Sequence, residues 1–356
     1  MKKLYKDIRF TKGILTLMAG LLIAGCSAED ELGNNSSAQQ LNMIPMVNDL
    51  QKSRANDEDA LHEKTLSKLD FKMFEPEFGE CCVNHQSSSP AENQAEVLGK
   101  DNWKVNLNLQ EDHSYNYYAV ANAQADLSKK TLEELQAATQ QDNDIWLPYP
   151  QAKDKKFLMS AKGQYIISKD PIQDIPVELV RAAAKIKLNL SSSVNGYNIT
   201  NVKWKFLNYN TNTSVFAGQT AKPKIVSNNA DNTVDKIEAN KCSVTTYSYS
   251  TTWTSQENAP KIAVKVVFES TDGKNEKREK ELTIPVRDPK GEKKLERNYI
   301  YTVNADIKRL KDSINIDYNE ELGYLKWAIT KWTTGEDTKV DADKASYLVV
   351  YPTTLD

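Results

Sequence analysis

The sequence predicts an all-β protein built from two Greek-key β-sandwich domains, with one short helix in the first domain. Apolar and polar residues alternate in many short segments, as they do in strands with one buried face. Turn-forming residues separate these segments, and only one stretch has a helical pattern. The chain has 356 residues, 39% of them hydrophobic, which is enough for two sandwich cores.

The first domain is predicted to contain four strands and the helix. A helix is expected between Thr131 and Thr139, because Thr131 and Glu134 have the spacing of a capping box. The run that contains Pro171 and Pro176 is predicted to be rich in turns. The four strands are Leu66–Met73, Trp103–Leu109, Tyr115–Ala121 and Ser160–Ser168.

The second domain is predicted to open near Ala184–Leu190 and to continue through further alternating segments. Thr271–Lys274 has the composition of a hairpin loop between two of them. The segments are Val202–Phe206, Ile262–Phe268, Leu282–Val286, Tyr299–Ile307, Ile314–Tyr318 and Leu325–Ile329.

The first 25 residues have the parts of a secretory signal peptide in their usual order. A basic stretch precedes an apolar core, Gly13–Gly25, that is too short to span a bilayer as a helix. The small residues Ala24 and Gly25 stand directly before Cys26, an arrangement that resembles the lipobox of bacterial lipoproteins. We therefore predict that the Cys26 thiol is lipidated. The alternative is an ordinary signal peptide followed by an incidental cysteine.

Residues 27–65 are predicted to form a polar leader that contains one apolar island. A simple tether has no need of such an island, which indicates that it docks on a folded part of the protein. Pro45 interrupts it, so only part is expected to pair as a regular strand. Arg54 and Ala55 follow shortly afterwards. The apolar residues are Leu41, Met43, Ile44, Met46, Val47 and Leu50.

Composition argues against catalysis and against nucleic-acid binding. The chain has three histidines and four cysteines, and its net charge of −3 provides no basic field. Cys81, Cys82 and His85 could suggest a metal cluster, but a structural zinc site needs four ligands. Free thiols in a loop are the favoured interpretation, and a vicinal disulfide is the alternative. Since no catalytic or phosphate-binding motif is present, we expect no enzyme, no cofactor and no metal.

Several segments together resemble the fimbrillin, or type V pilin, family. The match is good from about Cys26 to Leu190 and looser afterwards, and Arg54–Ala55 falls where this family has its maturation cleavage. The segments that carry the resemblance are Tyr117–Asn122, Asp126–Ser128, Thr131–Leu135, Phe157–Ser160 and Val177–Ile186.

The resemblance implies a pair of transthyretin-like sandwiches and a precursor held in the outer membrane by lipid on Cys26. An arginine-specific protease would cut after Arg54, so that the mature chain begins at Ala55. The leader strand, with Leu41, Met43, Ile44, Met46 and Val47, would then leave a groove for a strand of another subunit. The implied partners are other copies of the chain and related fimbrial subunits.

The donor of that strand is expected to be the C-terminal run Tyr347, Leu348, Val349, Val350 and Tyr351, which follows a polar connector. The alternative is that this run completes its own sandwich. The predicted organisation is a signal peptide (1–25), a leader (26–54), an N-terminal sandwich (55–184) and a C-terminal sandwich (185–356).

A shaft subunit that supports adhesion is the favoured function, and an anchor or tip subunit is the nearest alternative. A different class, a glycan-binding surface lipoprotein that never polymerises, would need an exposed aromatic platform. Trp146, Trp253 and Trp332 are the candidates for it. A lipoprotein hydrolase has no supporting motif.

Overall fold

The computed structural model describes residues 39–47, 63, 65–88, 104–107, 109–148, 151, 156–287, 291–310 and 322–331. These residues form an all-β sandwich protein, and the predicted fold class is confirmed. Among them, no helix is long and apolar enough to cross a membrane.

Seven of the described strands before Ala182 form one sheet, called here the N-terminal sheet. The order of its strands is β3-β2-β5-β7-β8-β1-β4, numbered along the chain. Leu69, Phe71 and Met73 of β2 are buried in the core. The strands are β1 (Gln39–Val47), β2 (Lys68–Phe74), β3 (Cys81–Ser88), β4 (Lys104–Leu107), β5 (Ser114–Ala121), β7 (Met159–Ile166) and β8 (Ile172–Arg181).

The short helix α1 (Leu132–Gln136) lies between β5 and β7, and its predicted capping box is confirmed. The Glu134 N–H donates to Oγ1 of Thr131 at 3.3 Å, and the Thr131 N–H donates to Oε2 of Glu134 at 3.0 Å. β6 (Thr139–Gln141) follows the helix and pairs with β12 (Asn212–Ser214), which joins the N-terminal part of the chain to the C-terminal part.

Ten of the described strands from Ala183 onward form a four-stranded sheet, ordered β14-β10-β17-β18, and a six-stranded sheet, ordered β13-β11-β15-β9-β20-β21. Both bury one face, as the two sheets of a sandwich do. β16 and β19 make a separate short pair. The strands are β9 (Ala183–Ser192), β10 (Tyr197–Leu207), β11 (Tyr209–Asn210), β13 (Ile225–Val226), β14 (Asn232–Thr233), β15 (Lys241–Tyr249), β16 (Thr251–Thr252), β17 (Lys261–Ser270), β18 (Lys277–Pro285), β19 (Lys294–Leu295), β20 (Tyr299–Ile307) and β21 (Leu322–Lys331).

The predicted alternation of the C-terminal strands produces their buried face. In β17, for example, Ile262, Val264, Val266 and Phe268 are buried, while the residues between them are partly exposed. The predicted hairpin loop joins β17 to β18, and its Gly273 has a φ of +79°, which glycine adopts without steric cost. The predicted strand Ile314–Tyr318 lies outside the described residues.

The prediction of a turn-rich run around Pro171 and Pro176 is wrong, because residues 172–181 are the strand β8. The Gln40 N–H donates to the Pro171 carbonyl at 2.7 Å. This bond determines which residues of the parallel β1–β8 pair point their backbone N–H and C=O groups at each other. Odd-numbered residues of β8 therefore bond to β1, and the Pro176 nitrogen faces the other side. There, among the residues that the structure describes, β7 pairs with β8 only at Val180 and Arg181, so the missing N–H of Pro176 removes no ladder bond.

Candidate functional site

β1 is held by β8 along nearly its whole length and by β4 along its first half. Gln40–Val47 pair in parallel with Ile172–Leu179, and Gln39–Asn42 pair antiparallel with Lys104–Leu107. The apolar island therefore lies as a strand inside the N-terminal sheet. Met46 and Val47 belong to it through their backbone pairing.

β8 depends on β1 for most of its sheet hydrogen bonds. In the described part of the chain, β7 pairs with β8 only at Val180 and Arg181, whereas β1 covers Ile172–Leu179. Taking β1 away would expose one edge of β8 over that length. Such an edge presents unpaired N–H and C=O groups, which another strand can satisfy.

β1 also fills part of the core. Leu41 is fully buried and Met43 is 2% exposed, and both face the same side as the buried Ile175 and Val177 of β8. Each such side chain stabilises the fold by about 1.5–3 kcal/mol on burial. The loss of β1 would therefore leave an apolar trough beside a bare sheet edge.

The outer face of β1 is partly polar. Asn42 Nδ2 donates to Oδ1 of Asp174 at 2.9 Å, and Asp174 lies opposite Asn42 in the register. Ile44, the next residue on this face, is 45% exposed. β1 therefore has an inner face with the buried Leu41 and Met43, and an outer face that carries the hydrogen bond from Asn42 to Asp174.

Pro45 limits β1 less than its sequence suggests. Among the described residues, pairing with β4 covers Gln39–Asn42, and pairing with β8 continues through Pro45 to Val47. Even-numbered residues of β1 bond to β8, as Gln40 does, so the Pro45 nitrogen faces away from β8. The expectation of partial pairing is therefore wrong for β8.

A buried charged cluster lies just beyond the C-terminal end of β1. Glu63 Oε1 lies 2.6 Å from Nζ of Lys185 and accepts a hydrogen bond from the Tyr247 hydroxyl at 2.7 Å. Arg181 Nε donates to the Glu63 backbone carbonyl at 2.9 Å. All four residues are buried. We call Glu63, Arg181, Lys185 and Tyr247 the Glu63 cluster.

The Glu63 cluster holds the chain close to where β1 ends. Val47 pairs with Leu179, and Glu63 contacts Arg181, so both contact the last three residues of β8. Sequence reasoning missed the cluster, because its members are up to 184 residues apart and charged residues are mostly exposed. A glutamate in a polar leader carries no sequence signal of burial.

Cys26, Arg54, Ala55 and Tyr347–Tyr351 lie outside the described residues. Lipid attachment, leader cleavage and strand donation therefore stay predictions, as does the division into four segments.

The sequence predicts that Cys81 and Cys82 lie in a loop, and that prediction is wrong. Cys81 and Cys82 begin the edge strand β3, and both are free thiols on the surface. Desolvation raises the pKa of each thiol. Within the described ranges, no group of three His, Cys, Asp or Glu side chains is arranged to hold a metal.

The described tryptophans of the proposed platform are not exposed. Trp253 is 8% exposed. Trp146 packs against the core, with its ring 6.3 Å from that of Trp204. Trp332 lies outside the described residues. Trp146 is half-buried and Trp253 is buried, so neither presents a fully exposed ring.

Comparison with solved structures identifies the fold, whereas no protein-family model and no curated protein sequence matches the chain. A candidate cell adhesion protein from Parabacteroides distasonis is 15% identical, with 83% of this chain and 96% of that chain covered and a TM-score of 0.55. A second, from Bacteroides eggerthii, is 15% identical over 84% and 98%, with a TM-score of 0.51.

A fimbrilin from Porphyromonas gingivalis is 14% identical, with 84% of this chain and 99% of that chain covered and a TM-score of 0.51. These alignments span nearly the full length of each solved structure. The chain described here therefore has a fimbrillin-like all-β fold.

Proposed function

We propose that this protein is a structural subunit of a cell-surface fimbrium that polymerises by donor-strand exchange and supports adhesion. In this proposal the precursor is exported as a lipoprotein and held in the outer membrane through Cys26. An arginine-specific protease cuts after Arg54, and β1 leaves with the leader. The C-terminal strand Tyr347–Tyr351 of another copy, or of a related subunit, then fills the vacated groove.

The observation that carries the proposal is the position of β1. β1 precedes the proposed cleavage site and is nevertheless built into the sheet, where it covers Ile172–Leu179 of β8 and contributes Leu41 and Met43 to the core. A strand in this position hydrogen-bonds to the otherwise exposed edge of β8 and fills the apolar groove beside it, as an exchanged strand must do.

The Glu63 cluster supports the second half of the proposal. Cleavage after Arg54 would leave Glu63 on the mature chain, where its contacts with Lys185 and Tyr247 do not involve β1. The new N-terminal segment would therefore stay attached to the body while the leader departs.

The proposal is tested with Arg54→Gln in the full-length precursor, and Lys52→Gln serves as the matched control. After treatment with an arginine-specific protease, wild type and Lys52→Gln should form heat-resistant ladders on a gel, and their subunits should begin at Ala55. Arg54→Gln should remain monomeric. Polymer formation by Arg54→Gln at the wild-type rate would contradict the proposal.

A deletion of residues 346–356 distinguishes two roles of the C-terminal run, which are donation to another subunit and completion of its own sandwich. If the C-terminal run is a donor, the truncated protein should be cleaved normally, stay soluble and form no polymer. If the run completes its own sandwich, the truncated monomer should aggregate and melt many degrees lower. Shaft subunits that begin at Cys26 would instead favour the anchor role.

A further inference from the structure

The position that β1 occupies has a definite residue pattern. Positions 41 and 43 face the core, where Leu41 and Met43 are buried. Position 42 faces the Asp174 carboxylate, and Asn42 donates to it at 2.9 Å. Position 44 is outward and tolerates an apolar side chain, because Ile44 is 45% exposed there.

The backbone imposes a second condition on any occupant. The Gln40 N–H donates to the Pro171 carbonyl, so even-numbered positions of β1 supply the N–H groups that bond to β8. A proline at position 42, 44 or 46 would remove one of these bonds, whereas a proline at 45 does not. In the described part of β1, pairing with β8 runs as far as position 47, opposite Leu179.

The C-terminal segment meets both conditions in one alignment. Its sequence is Ala-Ser-Tyr-Leu-Val-Val-Tyr-Pro from Ala345 to Pro352, with one polar residue followed by five apolar ones. β1 reads Leu-Asn-Met-Ile-Pro-Met-Val from Leu41 to Val47, with the same order of polar and apolar residues. The two sequences match when Ser346 takes the position of Asn42.

We propose that this segment of a second copy enters parallel to β8 with Ser346 opposite Asp174. The Ser346 hydroxyl then donates to the carboxylate in place of the Asn42 amide. Ala345 and Tyr347 take the positions of Leu41 and Met43, where alanine leaves part of the leucine space empty, and the strand ends at Pro352, just beyond position 47. This deepens the proposed function and rests on it.

Other parallel alignments conflict with the same geometry. Two residues further along, Pro352 would occupy position 46, where an N–H is needed, and Leu348 would face Asp174. Two residues back, Asp343 would take the fully buried position of Leu41, and a buried charge without a partner is costly. One residue further along, the Ser346 hydroxyl would take that apolar position.

The test is a charge exchange between the two proposed neighbours in the full-length, protease-treated chain. Ser346→Asp sets two carboxylates opposite each other and should slow polymerisation by up to about fivefold. Asp174→Lys combined with Ser346→Asp should restore the rate. Thr353→Asp is the control, since it also adds negative charge to the segment but follows Pro352, where the strand ends, and Asp174→Lys should not raise its rate. Ala345→Leu should raise the heat resistance of the polymer, because leucine refills the space of Leu41.

The possible outcomes distinguish a wrong register of the C-terminal segment from the absence of strand donation. If deletion of residues 346–356 leaves polymerisation intact, strand donation itself is contradicted. If the deletion abolishes polymers but Asp174→Lys fails to rescue Ser346→Asp, the segment enters in another register or antiparallel, and the inference is overturned. A faster rate for Thr353→Asp with the same change would also overturn it, because the effect would then be general electrostatics.

Discussion

Lys185 Nζ lies 2.6 Å from Oε1 of Glu63, which joins the first strand of the C-terminal sheets to the segment that follows β1. Both side chains are buried, and the Tyr247 hydroxyl donates to the same carboxylate oxygen. A buried charge pair contributes little net stability over an apolar pair, but losing one partner leaves the other charge uncompensated. The main effect of the contact is therefore to fix the position of Glu63 in the fold.

We predict that Lys185→Met destabilises the precursor by about 3–5 kcal/mol, because the Glu63 carboxylate would remain buried without its cation. The double variant Glu63→Gln/Lys185→Met should recover part of that loss, since the uncompensated Glu63 carboxylate is then absent. Urea unfolding of the single and double variants measures the coupling. Strictly additive effects would mean that the two residues do not interact.

Shortening Leu41 should destabilise the precursor although Leu41 precedes the proposed cleavage site. Leu41→Ala should cost about 2–5 kcal/mol, as is usual for a fully buried leucine. Ile44→Ala is the control on the same strand, and its effect should stay much smaller because Ile44 is 45% exposed. Equal unfolding curves for wild type and Leu41→Ala would show that β1 does not fill the core in solution.

The three described cysteines should differ in reactivity. Cys81 and Cys82 are exposed, whereas Cys242 is buried and desolvation raises the pKa of its thiol to about 11. In a Cys26→Ser chain, maleimide at neutral pH should label Cys81 and Cys82 quickly and Cys242 only after denaturation. Mass spectrometry of the labelled peptides identifies the sites, and Cys242→Ser provides the control. Fast native labelling of Cys242 would contradict its burial.

Asp126 should titrate at unusually low pH. The Ser128 N–H donates to Oδ1 of Asp126 at 2.9 Å, and this bond, with further hydrogen bonds from the Ser128 and Gln86 side chains, lowers the pKa of Asp126 to about 2. Because the folded state favours the carboxylate, its contribution is fully present above about pH 3.9. The contribution is lost as the pH falls towards 2. Carboxyl carbon shifts in NMR report the midpoint, and a midpoint near 4 would show that these hydrogen bonds are absent.

The strand pattern of this chain could largely be predicted from its sequence. In β17, β18 and β20 the apolar residues alternate, and a buried face requires that alternation. The position of α1 followed from Thr131 and Glu134, because a capping box is local in sequence. The apolar island was also evident, although its position between β8 and β4 was not.

The features that the sequence did not predict depend on distant neighbours. Whether Pro176 breaks a strand depends on which side its nitrogen faces, and that is decided by the register with β1. β15 was missed because its buried residues include Thr246 and Ser248, whose hydroxyls bond to Trp146 and Asn210, residues distant in sequence. The Glu63 cluster joins residues 118 to 184 positions apart, so no local pattern could predict it.

The parallel register of β1 with β8 also has a mechanical consequence. Gln40–Val47 are paired continuously with Ile172–Leu179, so tension applied along the strand acts on all these bonds together, in shear. Tension applied across the strand would instead open the bonds one after another from one end. Any strand that occupies this position resists an axial pull with its whole length.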